Sequence, residues 1–418
     1  MIRIVICGHR LRNPLPLRAK FRSDCKVLLF TMGRLDSAGE SWRERSTDIV
    51  YRGIMAEEPT TRNSPLRILE IGVDTLFLRA VPHQTVFYSS SIKPRAQADR
   101  ALGPLRMFRC LRDLRRRKFD LLVVHAMQYA PWHPRSILTA LRDWHVRAPV
   151  ALFGLFAWRF IHLFHDVPMA AVDLGDSFGI GRHNFFLLKA ARAFFKRELP
   201  ADRWQVFFKS GSRDYPGRRW RSKPASRALV EKLKPISYGT FLRPPECAPA
   251  EKTADIFFAG DLAANSTARA EGIGELRALE REGYVVDIPD GRLPPAEFLR
   301  RMAAAWLAWS PQGLGWDCSR HYEAALVNTV PMTNYPTIMR DRPLRDGEHC
   351  LLYAVEPGGL ATAARRALAD KPRLARTAAA AAAHVRRYHS DHARAERVAI
   401  AVLGRRLDGS PTREGEDG

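Results

Sequence analysis

Cysteine, acidic side chains and long apolar runs are all scarce in this 418-residue chain. The six cysteines (Cys7, Cys25, Cys110, Cys247, Cys318, Cys350) form no C-x-x-C pair and no Cys/His set with zinc spacing. They read as scattered thiols of a reducing compartment, so no metal site is expected from them. The most apolar stretch, Ala148 to Phe164, is interrupted by Arg159 and His162 and falls short of the ~20 residues that a membrane-spanning helix needs. The N-terminus opens basic but carries neither a long apolar h-region nor a small-residue cleavage site, which argues against a secretory signal. A cytoplasmic protein is the expectation, with at most peripheral attachment at the inner face of the membrane. Against 44 Asp and Glu stand 67 Lys and Arg, giving a net charge of +23. Such a field attracts polyanions: nucleic acid, anionic lipid or phosphorylated substrates. No RRM, KH, zinc-finger or helix-turn-helix signature is present, and the arginines are dispersed. A basic nucleic-acid-binding protein is therefore the alternative reading, not the first.

A hydrophobic content of 46% and an aromatic content of 10% are enough to fill real cores at this length. Residues 1–62 hold short apolar pieces among scattered arginines and sustain no helical period. They read as a poorly ordered basic arm, or as an upstream extension with the native start near Met55. From Leu66 the pattern becomes strand, helix, strand. Leu66–Val73 and His83–Tyr88 are strands. Leu102–Arg117 is a basic amphipathic helix with Leu105, Phe108, Leu111 and Leu114 at three-residue spacing. Phe119–His125 is a strand buried on both faces. Ser136–Val146 is a helix, Val150–Phe156 a strand, and Ala171–Asp173 the end of another. Phe185–Phe195 is a helix ending in Lys196-Arg197-Glu198-Leu199-Pro200. Residues 209–227 form a basic loop, and the proline-rich Pro235–Pro249 reads as a linker.

A second alternating unit follows: strand Ala254–Ala259, a helix carrying Arg269, strand Tyr284–Ile288, helix Phe298–Ala305, and strands Trp306–Ser310, Val330–Asn334 and Cys350–Ala354. Helices Leu360–Tyr388 and Ala393–Leu403 then lead to a polar tail. The domains are drawn as 63–238, a linker at 239–252, 253–392, a helix region at 393–407 and a tail at 408–418. Alternating strands and helices imply two parallel α/β sheets.

The densest chemistry lies in Ser310 to Pro331, SPQGLGWDCSRHYEAALVNTVP. A Gly313-Leu314-Gly315 turn leads into a helix that Asp317 or Ser319 can cap. Arg320 and Glu323 fall three apart on one helix face. Free N–H groups, the positive helix end and a guanidinium make a seat for a pyrophosphate. A carboxylate one turn deeper can accept from two ribose hydroxyls.

This segment, with the pattern G-x-G-x-D-x-x-R-x-x-E-A-x-x-x-x-T-V-P, resembles the donor site of GT-B glycosyltransferases, in particular exostosin-like and bacterial "glycosyltransferase family 1" proteins. The resemblance continues through Pro343-Leu344-Arg345-Asp346-Gly347-Glu348-His349-Cys350. It covers the C-terminal third strongly, the region from Leu66 more loosely, and residues 1–62 not at all. It implies two Rossmann-like domains facing each other across a cleft, with a nucleotide-sugar donor on the C-terminal one and a glycan or lipid-linked acceptor on the N-terminal one. The last helix would cross back to the first domain. No metal and no cofactor beyond the donor are implied.

By resemblance, Gly313, Gly315 and Arg320 seat the diphosphate, with Arg269 as a second cation. Glu323 takes the ribose, and Asp317 caps the helix or meets the donor sugar. His125 ends a strand similar to one whose histidine faces the donor sugar. Asp173 and Asp176, in VDLGDS, sit on a turn and could offer a base. Lys196 and Arg197 fall in a segment similar to "FKREL" of the same bacterial proteins, with attraction to an anionic acceptor as their only evident use. Many retaining relatives carry two glutamates eight residues apart. Eight before Glu323 stands Gly315, which leaves retention or inversion open. A role in bacterial surface polysaccharide or glycolipid synthesis is expected, and a GT-B nucleotide-sugar epimerase is the further alternative.

Overall fold

The computed structural model describes residues 64–90, 104–127, 138, 162–207, 227–240, 250–261 and 266–412. The expectations for residues 1–62, the helix at 136–146, the strand at 150–156, nearly all of the basic loop, most of the linker and the end of the tail lie outside the described residues.

The first sheet contains β1 (Ile68–Gly72), β2 (Thr85–Ser89), β3 (Leu121–His125), β4 (Met169–Asp173), β5 (Ala193–Lys196) and β6 (Leu233–Pro235). All pair in parallel, in the order β2-β1-β3-β4-β5-β6. Strands β1, β3 and β5 are buried throughout, because a parallel sheet covered on both faces has no solvent side. The second sheet contains β7 (Ala254–Phe257), β8 (Val286–Asp287), β9 (Ala305–Trp309), β10 (Val330–Asn334) and β11 (Leu351–Tyr353). It is also parallel, in the order β11-β10-β9-β7-β8. Both sheets belong to one compact unit, Pro59–Gly418. Two Rossmann-like α/β sheets in succession are the GT-B arrangement.

The helices are α1 (Leu76–Ala80), α2 (Pro104–Arg115), α3 (Phe185–Ala190), α4 (Arg227–Glu231), α5 (Thr267–Arg281), α6 (Pro295–Ala303), α7 (Ser319–Leu326), α8 (Gly359–Leu368), α9 (Lys371–Tyr388) and α10 (Asp391–Leu403). Helix α10 packs Ala395, Val398, Ala399 and Val402 against Ile68, Phe77, Val123 and Val172 of the first sheet's layer. Arg79 and Asp391 add an ion pair of 2.7 Å at its start.

Several local expectations are corrected. Phe185–Phe195 is not one helix: α3 stops at Ala190, and Ala193–Lys196 is the strand β5, between β4 and β6. A short apolar run does not reveal its period, and pairing on both edges decided it. Leu360–Tyr388 breaks into α8 and α9, where Asp370 caps the second helix by accepting from Arg373 N, and Pro372 sits in its first turn. Leu233–Pro235, partly assigned to the linker, is the edge strand β6. On α2 the buried stripe is Met107, Cys110 and Leu114, whereas Leu105 and Phe108 are exposed. Strict three-residue spacing drifts around a helix, and the face that packs follows alternating steps of three and four.

In the sequence, the alternation of apolar strands and helices begins only at Leu66. Deletion of residues 1–62 should therefore preserve a cooperative thermal transition by circular dichroism. Loss of that transition would assign those residues to the folding core.

Candidate functional site

In an open parallel sheet, ligands bind beyond the carboxyl ends of the strands, where loops from neighbouring strands leave in opposite directions. In the second sheet that point lies between β7 and β9. The chain leaves β7 through Phe258-Ala259-Gly260-Asp261 and leaves β9 through Ser310–Cys318 into α7.

Both candidate cations come to this point. Arg320, on the first turn of α7, donates from Nη1 to the Ala259 carbonyl at 2.8 Å and lies over the Phe258 ring. Arg269, on the first turn of α5, is buried and donates from Nη1 to the Asp261 carbonyl at 2.7 Å. Carbonyls just past β7 thus aim both guanidiniums. Among the described residues, neither forms an ion pair with a carboxylate. Burial pulls the Arg269 pKa down, and the neighbouring Arg320 charge pulls it down further. Two like charges lie beside each other, one of them desolvated, and the nearby Cys318 and Asp261 offset this only in part, an arrangement that favours an anion.

The turn closes on them. Gly313 N donates to Gly315 O at 3.1 Å, and a side chain at Gly313 would run into the Arg269 guanidinium. Gln312 N donates to Asn334 Oδ1 at 2.8 Å, and the Trp316 indole to Asn334 O at 2.9 Å, so the end of β10 anchors both flanks. Glu323, one turn along α7 from Arg320, is half-buried, and burial pushes its carboxyl pKa up against a hydrogen bond from Ser319. Arg269, Arg320 and Gly313 therefore meet in one place, with Glu323 one turn along α7, whereas Gly315 faces Glu198 and Arg197.

Asp317 and Ser319 do not cap α7. The N-cap is Cys318 and has no side-chain cap bond. The Asp317 carboxylate instead accepts from Tyr238 N at 2.5 Å and from the Tyr322 hydroxyl at 2.6 Å. Asp317 is buried, which drives its pKa up, while the Tyr322 hydroxyl and the Tyr238 amide pull it the other way.

The sequence offered no use for Glu198, yet the structure places it at the turn. Its carboxylate accepts from Trp316 N and Asp317 N, each at 2.9 Å. Burial pushes it up to about 7, against the Arg197 charge and these two amides. Arg197 also pairs with Asp176 and lies 4.7 Å over the Tyr238 ring. A Cβ at Gly315 would overlap the Glu198 carboxyl. The space beside position 315, where the eight-residue spacing would put a glutamate, is thus filled by a carboxylate from the first sheet. The available signal was three consecutive charges, Lys196-Arg197-Glu198, following an apolar run. Charges there must find partners or stay wet.

Lys196 pairs with Asp173 at 2.8 Å, and Asp173 also accepts from Gly175 N at 2.9 Å. Both turn aspartates are thus committed to cations, and Asp176 is the more exposed of the two. His125, placed by sequence where a strand meets solvent or sugar, is buried. Its Nε2 lies 2.8 Å from Glu70 Oε1, and its Nδ1 has no partner among the described residues. Glu70 also accepts from Phe77 N at 3.1 Å and Leu78 N at 2.9 Å, satisfying the start of α1 from inside the sheet.

No family model matches the chain, and no curated protein matches it. Among solved structures it is similar to a glycosyltransferase from Rickettsia africae, with 9% identity and a TM-score of 0.45 over 80% of this chain and 98% of that one. It is also similar to Anabaena HepE in complex with UDP-glucose, with 11% identity and a TM-score of 0.44 over 79% and 98%. A third is sucrose-phosphate synthase from Thermosynechococcus elongatus, with 10% identity and a TM-score of 0.43 over 78% and 95%.

Proposed function

We propose that this chain is a glycosyltransferase that moves a sugar from a nucleoside diphosphate sugar to a hydroxyl acceptor. One observation carries the reading: two arginines without a carboxylate partner among the described residues converge beside a glycine turn, at the carboxyl edge of a parallel sheet. As the glycosidic bond to the donor breaks, negative charge develops on the leaving diphosphate. Arg269 and Arg320, with the start of α7, are positioned to stabilise it without reorganising. The two guanidiniums supply the charge that a metal-independent transfer requires. Glu323 takes the ribose hydroxyls. On the acceptor side, all three base candidates have a partner, Asp176 in Arg197, Asp173 in Lys196 and His125 in Glu70, and Asp176 has the most exposed carboxylate. Calorimetry of UDP, GDP and ADP against the full chain tests the reading. At least one should bind, and failure of all three would overturn it.

The acceptor we assign is a glycan or lipid-linked sugar of bacterial surface polysaccharide or glycolipid synthesis. Helix α2 supports contact with an anionic membrane, since it exposes Leu105 and Phe108 beside Arg109, Arg112 and Arg115, with Arg116 just past its end. No helix among the described residues is long and apolar enough to cross a membrane. Cosedimentation with anionic vesicles should fall steeply as salt rises, because screening shortens the reach of surface charge. Equal binding to neutral and anionic vesicles would rule out electrostatic attachment.

A further inference from the structure

We infer that Glu198 is a positioning residue, a clamp from the first sheet that holds the 313–317 turn of the second in its binding shape. What the turn binds rests on the diphosphate reading above; the clamp itself does not.

The geometry is specific. Glu198 lies two residues past the end of β5, whose pairing with β4 and β6 fixes its direction. Its carboxylate is fully buried and is the acceptor for two consecutive amides of the turn, those of Trp316 and Asp317. Two oxygens on two adjacent N–H groups fix the peptide planes between them. Arg197, from the same segment, flanks the carboxylate at 3.3 Å, which offsets part of the cost of burying it. Gly315 has no side chain, and this leaves the room the carboxyl occupies. Asp317 ties the same turn to Tyr238, just past β6, so the turn is held from the first sheet's side at two points. Without Glu198, the Trp316 and Asp317 amides would face a buried space with no acceptor. The turn would then have to rotate to reach water, taking Gly313 away from Arg269.

The experiment uses the full chain with Glu198→Ala, Glu198→Gln and Gly315→Ala. In Glu198→Ala, hydrogen exchange at the Trp316 and Asp317 amides should quicken at least about tenfold, while β10 amides keep their rates. The nucleoside diphosphate that wild type binds most tightly, among UDP, GDP and ADP, should bind about tenfold more weakly. Glutamine keeps one acceptor oxygen, so Glu198→Gln should restore protection at one amide and part of the affinity. Gly315→Ala pushes the carboxyl aside without altering it and should reproduce Glu198→Ala. The double variant Glu198→Ala/Gly315→Ala should be no weaker than either alone, because both remove one interaction. Wild-type exchange rates at both amides in Glu198→Ala would overturn the clamp. Faster exchange with unchanged nucleotide affinity would overturn the positioning role. If wild type binds none of the nucleotides, the diphosphate reading falls, and the exchange rates alone decide whether Glu198 holds the turn.

Discussion

Arg320→Ala and Arg269→Ala each weaken binding of the nucleoside diphosphate, by roughly 10- to 150-fold, the equivalent of about 1.5–3 kcal/mol for a charge-assisted hydrogen bond. The fold should survive both changes. Each side chain's described hydrogen bond is to a single loop carbonyl, of Ala259 or Asp261. Removing Arg269 also removes a desolvated charge that lies beside another of the same sign. The two losses should not add, since both guanidiniums would face one anion. Three ligands separate the roles. The nucleoside alone should bind the arginine variants as it binds wild type, because it carries no phosphate. Inorganic pyrophosphate should lose affinity with both. Glu323→Ala should spare pyrophosphate but weaken the ribonucleotide, since the carboxylate is assigned to ribose. Calorimetry at fixed ionic strength measures all of these. Unchanged diphosphate affinity in both arginine variants would remove the seat from this edge of the sheet.

The largest loss of stability is expected at Glu70, far in sequence from the proposed chemistry. Its carboxylate is wholly buried and is the acceptor for Phe77 N, Leu78 N and the nearby His125 Nε2. Glu70→Ala strands three polar groups among Ile68, Phe77, Leu121 and Val123, so a cost of about 3–5 kcal/mol is expected from breaking a buried pair. Glu70→Gln keeps one acceptor oxygen and should lose about 1–2 kcal/mol. Denaturant titration gives the order directly: wild type, then Gln, then Ala. The same experiment bears on His125. If the ring acts mainly as a partner for Glu70, His125→Ala will lower stability while donor turnover per folded molecule stays at the wild-type level. If His125 serves the reacting sugar, turnover will fall while nucleotide affinity is retained, because the proposed nucleotide contacts lie on the other sheet.

The alternation of apolar strands and helices from Leu66 onward was legible as parallel α/β, since a strand buried on both faces carries an unbroken apolar run such as Leu121–Val124. The glycine turn and the Arg320–Glu323 spacing were legible for a similar reason. Turn and helix geometry are local, and residues within one turn of each other meet wherever the helix is placed. That the two sheets are separate layers could be argued from the sequence, but the strand order within each could not. Order depends on crossovers between strands dozens of residues apart. The order in turn determines which loops diverge, and so where Arg269 and Arg320 come together.

Burial and partner choice were also beyond the sequence. Asp317 looked like a helix cap because short acidic residues before helices commonly are, but Tyr238 and Tyr322 compete for its oxygens. By sequence His125 ends a strand and resembles a histidine that faces the donor sugar; in the structure Glu70, on the neighbouring strand β1, lies within hydrogen-bond distance of it in the interior. The Lys196-Arg197-Glu198 run looked like the end of a helix. Pairing of β5 on both edges made it the exit of a central strand, whose three charges find Asp173, Asp176 and the amides of the 313–317 turn. The sequence by itself determined which local chemistries this chain possesses: a glycine turn, a helix with Arg and Glu on one face, and strands that must be covered on both sides. Only the tertiary structure decided which charges are spent inside the protein and which remain for a ligand, because an ion pair forms between residues that the fold brings together, and Glu198 lies more than a hundred positions before the turn it holds.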